Sequence, residues 1–470
     1  MLTEKDIAKI IEKQKAQNRD ALTGERYYNG EHDILHYRVF YKDKDGCLVE
    51  DKSKSNERIP HPFFSELTDQ EVQYLLSSDE RFALSDIPEL QNLLDEAFND
   101  SDDFRDGLSA VATDAISKGK GYFYAHKDES GRVLFERADA LGIAEVRDPD
   151  TNDEVSYVVR WYIDRIDDDG ERILKIEVWD KEQVWYYVQE GNKAIELDKN
   201  APMNPRPHTL MTDEKGQVYS ENFGQIPFFK LKNNDREKSD LFLTKPIIDD
   251  YDLMACGLSN NLQDLSEGFW VVRNYQGDNI GELINALKVK KAIGVDENGG
   301  VELKTVNIPY EARKAKLQLD REGIYKFGMG VDTSQVGDGN ITNVVIKSRY
   351  ADLDLKVNKF EKRLKRFLRQ IIGLYLEIDG RWSIKDVKLN FERSIISSES
   401  DDATIELTRA QARQTDINTL MILSGVLPDE TLIKTACKVL DIDYEEIKAD
   451  LPEHRLDDDG EGEDETDNEE

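Results

Sequence analysis

Two histidines four residues apart, His32 and His36, are the first side chains in this sequence whose spacing suits a metal ion. Helical spacing would put both imidazoles on one face, but Gly30 precedes them and no acid-histidine pattern completes a ligand set, so a surface or packing role is expected. Two acidic turns, Asp43-Lys44-Asp45-Gly46 and Asp167-Asp168-Asp169-Gly170, invite a calcium reading. Setting each glycine at the sixth position of a calcium loop puts Tyr41 or Arg165 at the first, so both are expected to be solvated hairpin turns. Gly328-x-Gly330 resembles a fragment of a phosphate loop, yet it lacks the Gly-Lys-Ser/Thr ending that nucleotide hydrolysis needs. With 97 Asp and Glu residues, neighbouring carboxylates occur everywhere, and spacing alone selects no acid–base pair. Cys47, Cys256 and Cys437 are isolated, which disfavours both a disulfide framework and a thiolate metal site. The expectation is a chain with no catalytic residues, no metal and no cofactor.

One concentration of positive charge stands apart. Lys356, Lys359, Lys362, Arg363, Lys365, Arg366 and Arg369 lie among apolar residues spaced for a long helix: Val345, Leu353, Val357, Phe360, Leu364, Phe367, Ile371 and Tyr375. Pairing with acidic side chains of a neighbouring subunit is the favoured role for this face, with DNA phosphate contact or plain solvation as alternatives. The formal net charge of -34 repels phosphate as a whole, so ordinary affinity for nucleic acid is disfavoured. Just before the basic helix, Asp332 to Asn343 contains Thr333, Ser334, Gln335, Asp338 and Asn340 and few apolar residues. An adaptable loop is expected there.

The elements that must position these residues can be read in order. Helical periodicity is expected over Lys5 to Ala21, Leu67 to Leu76 and Asp100 to Gly119, the last burying Phe104, Leu108, Val111 and Ala115. A hairpin is expected around Asp45-Gly46. From Gly121 to Val188 short aromatic and β-branched runs predict an antiparallel sheet or meander, and Ala201 to Gly224 a weakly patterned loop. Asp240 to Leu265 carries Leu243, Ile247, Tyr251, Met254, Leu258, Leu262 and Leu265 at helical spacing. A β-rich insert with a short helix over Ile280 to Leu287 follows, then a helix from Pro309 to Ile324 and the long basic helix, begun near Thr342. Two terminal helices, Thr404 to Leu423 and Glu430 to Leu440, precede an acidic tail without apolar residues, expected to be disordered. No apolar run approaches the roughly 20 residues of a membrane span, and host cytoplasm is the expected place of assembly. The predicted class is α+β.

Taken together, several stretches resemble the portal proteins of tailed phages, the SPP1-type, Gp6-like family. They are Tyr27 to Ile34, Asn56 to Phe64, Ile226 to Asn234, Lys245 to Asp252, Gly328 to Asp332, Leu353 to Lys359 and Met421 to Gly425, in order along the chain. The resemblance implies a homo-oligomeric ring of twelve subunits around a channel for double-stranded DNA, at the portal vertex of the virion. It implies a wing over residues 1–239, stem helices at 240–268 and 309–327 flanking a clip at 269–308, and a channel loop at 328–344. A long wing helix and return segment at 345–403, a helical crown at 404–456 and a disordered tail at 457–470 complete it. The implied partners are the terminase large subunit, the major capsid and scaffolding proteins and a head-completion connector, with no membrane. A different oligomeric capsid or tail scaffold, or a phage-associated metal-dependent nuclease, are the rival readings.

Overall fold

A capping box opens the chain: the Thr3 hydroxyl accepts from the Asp6 N–H while the Asp6 carboxylate accepts from the Thr3 N–H, and α1 runs Glu4–Gln17. The computed structural model describes residues 2–52, 54–128, 130–148, 150, 154–167, 169–212, 218–264, 269–273, 299–304, 309–335, 348–393, 399–423 and 429–440. Contacts divide the chain into two units, Met1–Asp338 with Ser348–Ile395, and Gly339–Lys347 with Ile396–Glu470.

In the first unit α1 gives way at Asn18 to α2 (Arg19–Tyr28), so the single helix expected over Lys5 to Ala21 is two. At this junction the Asn18 side-chain amide donates to the Leu141 carbonyl, 123 residues away, while its backbone still bonds to Gln14 and Leu22. The Asp-Gly turn joins β1 (Phe40–Lys42) to β2 (Leu48–Glu50) as expected. There follow α3 (Phe63–Leu76), β3 (Ala83–Leu84), α4 (Pro88–Leu94), a π-helical turn at Asp95–Asn99 and α5 (Asp102–Lys118). Helix α5 buries the predicted face of Phe104, Leu108, Val111 and Ala115.

Strands β4 (Lys120–Lys127), β5 (Val133–Ala138), β6 (Ile143–Arg147), β7 (Val155–Ile166), β8 (Arg172–Trp179), β9 (Gln183–Glu190) and β10 (Glu196–Leu197) divide between two sheets, not one. The turn Ala140–Gly142 carries the chain from one to the other, and only glycine fits at 142, where a Cβ would lie 2.4 Å from the Trp161 carbonyl oxygen. The expected loop from Ala201 to Gly224 instead contains β11 (Arg206–Pro207), which pairs with β9, and the hairpin of β12 (Thr209–Thr212) and β13 (Val218–Glu221). Then β14 (Phe228–Lys232) returns to pair with β4, giving the order β14-β4-β5 in one sheet and β10-β9-β8-β7-β6 in the other.

Helix α6 (Leu241–Asp264), the antiparallel pair β15 (Phe269–Arg273) and β16 (Gly300–Lys304), and α7 (Tyr310–Gly328) come next. Lys316 on α7 pairs with Asp250, and Gly323 lies against Ile247, so α6 and α7 run antiparallel. The short helix expected over Ile280 to Leu287 lies outside the described residues. Helix α8 runs Ala351–Asp379, the expected helix start near Thr342 lies outside the described residues, and β17 (Lys388–Leu389) pairs with β3.

The largest core packs α3, α4, α5 and α8 over the three-stranded sheet. Ile7 and Ile11 seat α1 on the second sheet against Val159, Ile176 and Trp185. A third cluster joins Tyr27, Phe63, Phe64 and Leu67 to Leu241, Ile248, Ile324 and Tyr325. The second unit holds α9 (Glu399–Ile422) and α10 (Asp429–Leu440), which pack on each other; the acidic tail lies outside the described residues. Helical and antiparallel regions alternate in blocks along the chain, an α+β fold. Among the described residues no helix is long and apolar enough to cross a membrane.

Candidate functional site

The segment Gly328 to Gln335, the root of the expected loop, is built on α3, α7 and α8. Helix α7 ends at Gly328 with Met329 in the left-handed region, φ 55°, its N–H donating to the Tyr325 carbonyl. Left-handed backbone strains a non-glycine residue, and such strain persists only where surrounding contacts fix it. Those contacts are present. A Cβ on Gly328 would lie 2.6 Å from Leu67 Cδ1, and one on Gly330 2.2 Å from Leu67 Cδ2. The Gly-x-Gly pair therefore lets the chain cross a core leucine, which explains it without a phosphate. The Gln70 side chain then clamps Val331 on both sides, accepting from its N–H and donating to its carbonyl, each at 2.9 Å.

Asp332 does not extend freely from this root. Arg321 grips its carboxylate through two bonds of 2.9 and 3.0 Å, and its Oδ1 accepts from the Ser334 N–H and hydroxyl to start a single turn, Thr333–Gln335. Burial raises the Asp332 carboxyl, but Arg321 and Ser334 outweigh it and hold it below the ordinary carboxylate range. Asp332 opens the segment expected to be an adaptable loop, and it is an ion-paired anchor to α7. Thr333 and Ser334 are exposed, whereas Asp338 and Asn340 lie outside the described residues.

The basic helix is seated by its apolar face: Leu353, Val357, Phe360, Leu364, Phe367 and Ile371 are all buried. At about 1.5–3 kcal/mol for each large apolar side chain removed from water, against about 0.2–1 for a surface ion pair, the core and not the charges fixes which residues face outward. Lys359, Lys362, Arg366 and Arg369 do face outward, three or four residues apart, and make no ion pair among the described residues. Arg363 reaches Asp235, and Lys365 pairs with Glu361.

Lys356 departs from that face. Its ammonium lies inside, 2.8 Å from Glu71 and 2.7 Å from Asp240, and donates to the Gly328 carbonyl at 3.2 Å. Burial opposes its charge, but Asp240 and Glu71 outweigh that and hold Lys356 above its ordinary range. Burial likewise pushes the Glu71 carboxyl up to about 7 against the pull of Lys356. The triad ties the end of α7 to α3 and α8 at one point.

A second arrangement was not anticipated. The extended segment Ser55 to His61 lies along α6, and its alternate N–H groups donate to helix side chains four apart: Ser55 to Asp264 (3.0 Å), Glu57 to Asn260 (2.6 Å), Ile59 to the Cys256 sulfur (3.2 Å) and His61 to Asp252 (2.9 Å). Two extended residues advance about 6.6 Å and four helical residues about 6.0 Å, so the two repeats stay in step. Asp252 is buried and also holds His61 Nδ1 at 2.8 Å and His32 Nδ1 at 2.7 Å. His32 stacks on Tyr27, while His36 is exposed, so the two histidines do not converge. This strap rotates α6 from its expected orientation. Leu241, Thr244, Ile248, Asp252 and Cys256 are its buried residues, and Leu243 and Leu262 are exposed. The signal was in the sequence, as Asp252, Cys256, Asn260 and Asp264 spaced by four, but an apolar count passes over it.

The family profile described as phage portal protein, SPP1 Gp6-like, matches residues 7–454. The portal protein of Bacillus phage SPP1 is 29% identical over 403 residues, covering 84% of this chain and 78% of that protein. That of Clostridium phage phiCD119 is 24% identical over 412 residues, covering 85% and 88%. Two solved chains also align. One, from the neck of an empty GTA particle computed with C6 symmetry, has a TM-score of 0.41 at 11% identity, covering 82% of this chain and 90% of that one. The other, from the neck of a native GTA particle computed with C12 symmetry, has a TM-score of 0.36 at 12% identity, covering 81% and 91%. Portal proteins are structural components and not enzymes. On a match from residue 7 to residue 454, the chain belongs to the SPP1 Gp6-like family of phage portal proteins.

Proposed function

We propose that the chain assembles into a closed ring, of twelve copies in the capsid, that passes double-stranded DNA during packaging and ejection. The observation that carries this reading is the family match along nearly the whole chain. In it α6 and α7 form the stem, β15 and β16 belong to the clip, residues 328–344 form the channel loop, and α9 and α10 belong to the crown. The terminase large subunit, the scaffolding and major capsid proteins and a head-completion connector are its partners, met first in the host cytoplasm. Surface chemistry supports a multi-subunit assembly. Phe242, Leu243 and Leu262 on α6 and Leu319 and Phe327 on α7 are each at least 58% exposed, and the β1–β2 hairpin exposes Phe40, Tyr41 and Leu48. Large apolar side chains exposed along two helices and a hairpin are suited to being covered by another chain. The excess of acid suits a conduit, because a wall that bound phosphates would brake the moving duplex at every contact.

Sedimentation of the full chain tests the reading. A species many times heavier than the 54.0 kDa subunit is expected, with a central hole in end-on electron micrographs. A stable monomer at high concentration and moderate salt rejects it, and a large particle without a hole favours a different capsid or tail scaffold.

A further inference from the structure

The acidic chain contains a concave basic site that no single stretch of sequence announces. Four separated segments build it: the α1–α2 junction, the start of β4, the end of β6, and β14 with the loop that follows. The cleft they enclose has a volume of about 470 Å³. Lys120 and Lys230 form its floor, with side chains only 13% and 12% exposed, and Lys232, Arg236 and Lys238 stand around it.

The carboxylates present are too few for these cations. Glu237 is shared by three lysines: Lys230 and Lys232 at 3.0 Å each, and Lys120 only at 4.0 Å. Glu145 is shared by Lys230 at 2.7 Å, Arg147 at 3.0 Å and the Tyr122 hydroxyl at 3.1 Å. Asp20, at the rim, takes Lys238, and Arg236 has no ion pair among the described residues. Lys118 also lines the cleft but is answered from outside it by Glu25, Asp114 and Asp139. The electrostatics show the imbalance in both directions. Burial, with Lys230 and Lys232 nearby, pulls Lys120 below its ordinary range although Glu237 opposes this. Glu237 is held down at about 2, because its lysines outweigh the effect of its burial. Its backbone is also in the left-handed region, φ 52°, a conformation that costs a non-glycine residue energy and so marks an imposed geometry.

Half-buried ammonium groups that converge on a cavity with too few counter-charges are stabilised by a multiply charged anion. Lysine supplies point charges and not a planar fork, which suits tetrahedral oxyanions over carboxylates. The recessed floor suits a compact ligand, since the phosphates of a duplex lie on a surface too broad to reach Lys120 and Lys230. We propose that this cleft binds a compact polyphosphate, with one phosphate against Lys120 and Lys230 and the next held by Lys232, Arg236 and Lys238. Free oligophosphate and the phosphate tail of a nucleotide share this chemistry.

Isothermal titration of the assembled full chain with sodium tripolyphosphate tests it, at fixed ionic strength set with sodium chloride. Saturable binding at one site per chain is expected, weakened roughly tenfold or more by Lys120→Gln and by a smaller factor by the exposed Arg236→Gln, since a bond to a charged group typically carries that much affinity. Lys362→Gln, on the other basic surface, is expected to leave the affinity unchanged. A parallel titration with a nucleoside triphosphate separates the sources: equal affinity assigns the site to the phosphate chain alone, and tighter binding to a nucleotide. Thermal melts without ligand report folding, and Arg236→Gln carries the test if Lys120→Gln fails to fold. No saturable heat with either probe overturns the proposal. So does an affinity that neither cleft variant alters, or one that Lys362→Gln reduces as much as Lys120→Gln.

Discussion

Glu71 shows how one side chain can link proton binding to the integrity of the loop root. Its ordinary carboxyl value is 4.5 and burial raises it to about 7, so the folded chain keeps this proton to higher pH than the unfolded chain does. The stability it contributes is complete below about 4.5 and is lost as pH rises through about 7. Glu71→Gln is therefore expected to flatten the decline in melting temperature across that window, with little change at its acidic end. Thermal melts of both proteins over a pH series check this, and an unaltered slope would show that Glu71 does not hold the proton. Asp252 has the opposite sign. Burial raises its carboxyl, but His32 and His61 outweigh it and leave it below its ordinary value, so its contribution disappears on acidification.

At the scale of elements, one contact governs how the loop leaves α7. Gly330 crosses Leu67 so closely that a methyl group at 330 needs space already filled. Gly330→Ala is expected to destabilise the first unit by about 1–3 kcal/mol, the usual cost of overpacking. Leu67→Ala alone should cost about 2–5 kcal/mol through the cavity it leaves. Because the new methyl occupies part of that cavity, the double variant is expected to be more stable than the sum of the two losses predicts. Urea unfolding of the four proteins measures the coupling, and strict additivity would mean that the root does not rest on Leu67. The strap works by the same logic of register. It turns α6 so that polar residues face inward, which leaves Phe242, Leu243 and Leu262 outside.

For the whole molecule, the exposed stripe of Lys359, Lys362, Arg366 and Arg369 is the surface that assembly should reveal. Pairing with acidic side chains of the next subunit is the reading we favour, and each exposed pair is worth only about 0.2–1 kcal/mol. Repeated at every interface of the proposed ring, small terms become a visible shift in the salt concentration at which it dissociates. Lys362→Glu combined with Arg366→Glu is expected to lower that concentration while leaving each subunit folded. Sedimentation over a salt series reads the effect. Rings that are equally salt-resistant but retain less DNA would assign the stripe to the duplex.

Local physics made much of this legible in sequence. The apolar period of α5 and α8 and the Asp-Gly hairpin follow from side-chain spacing and turn chemistry, and ordered stretches from Tyr27 to Gly425 carried the family. Spacing cannot count what a folded neighbour brings. Lys356 has the same helical spacing as the exposed lysines, yet it is internal because Glu71 and Asp240, 285 and 116 positions away, hold its ammonium. Asp332 opens a stretch of loop composition, yet Arg321, 11 positions earlier on α7, fixes it by an ion pair. The basic cleft gathers Lys120, Arg147, Lys230 and Arg236 from segments that are each unremarkable in a chain of net charge -34. Periodicity is a property of one segment and survives in the sequence, whereas electrostatic pairing depends on distances between segments, which only the tertiary structure fixes.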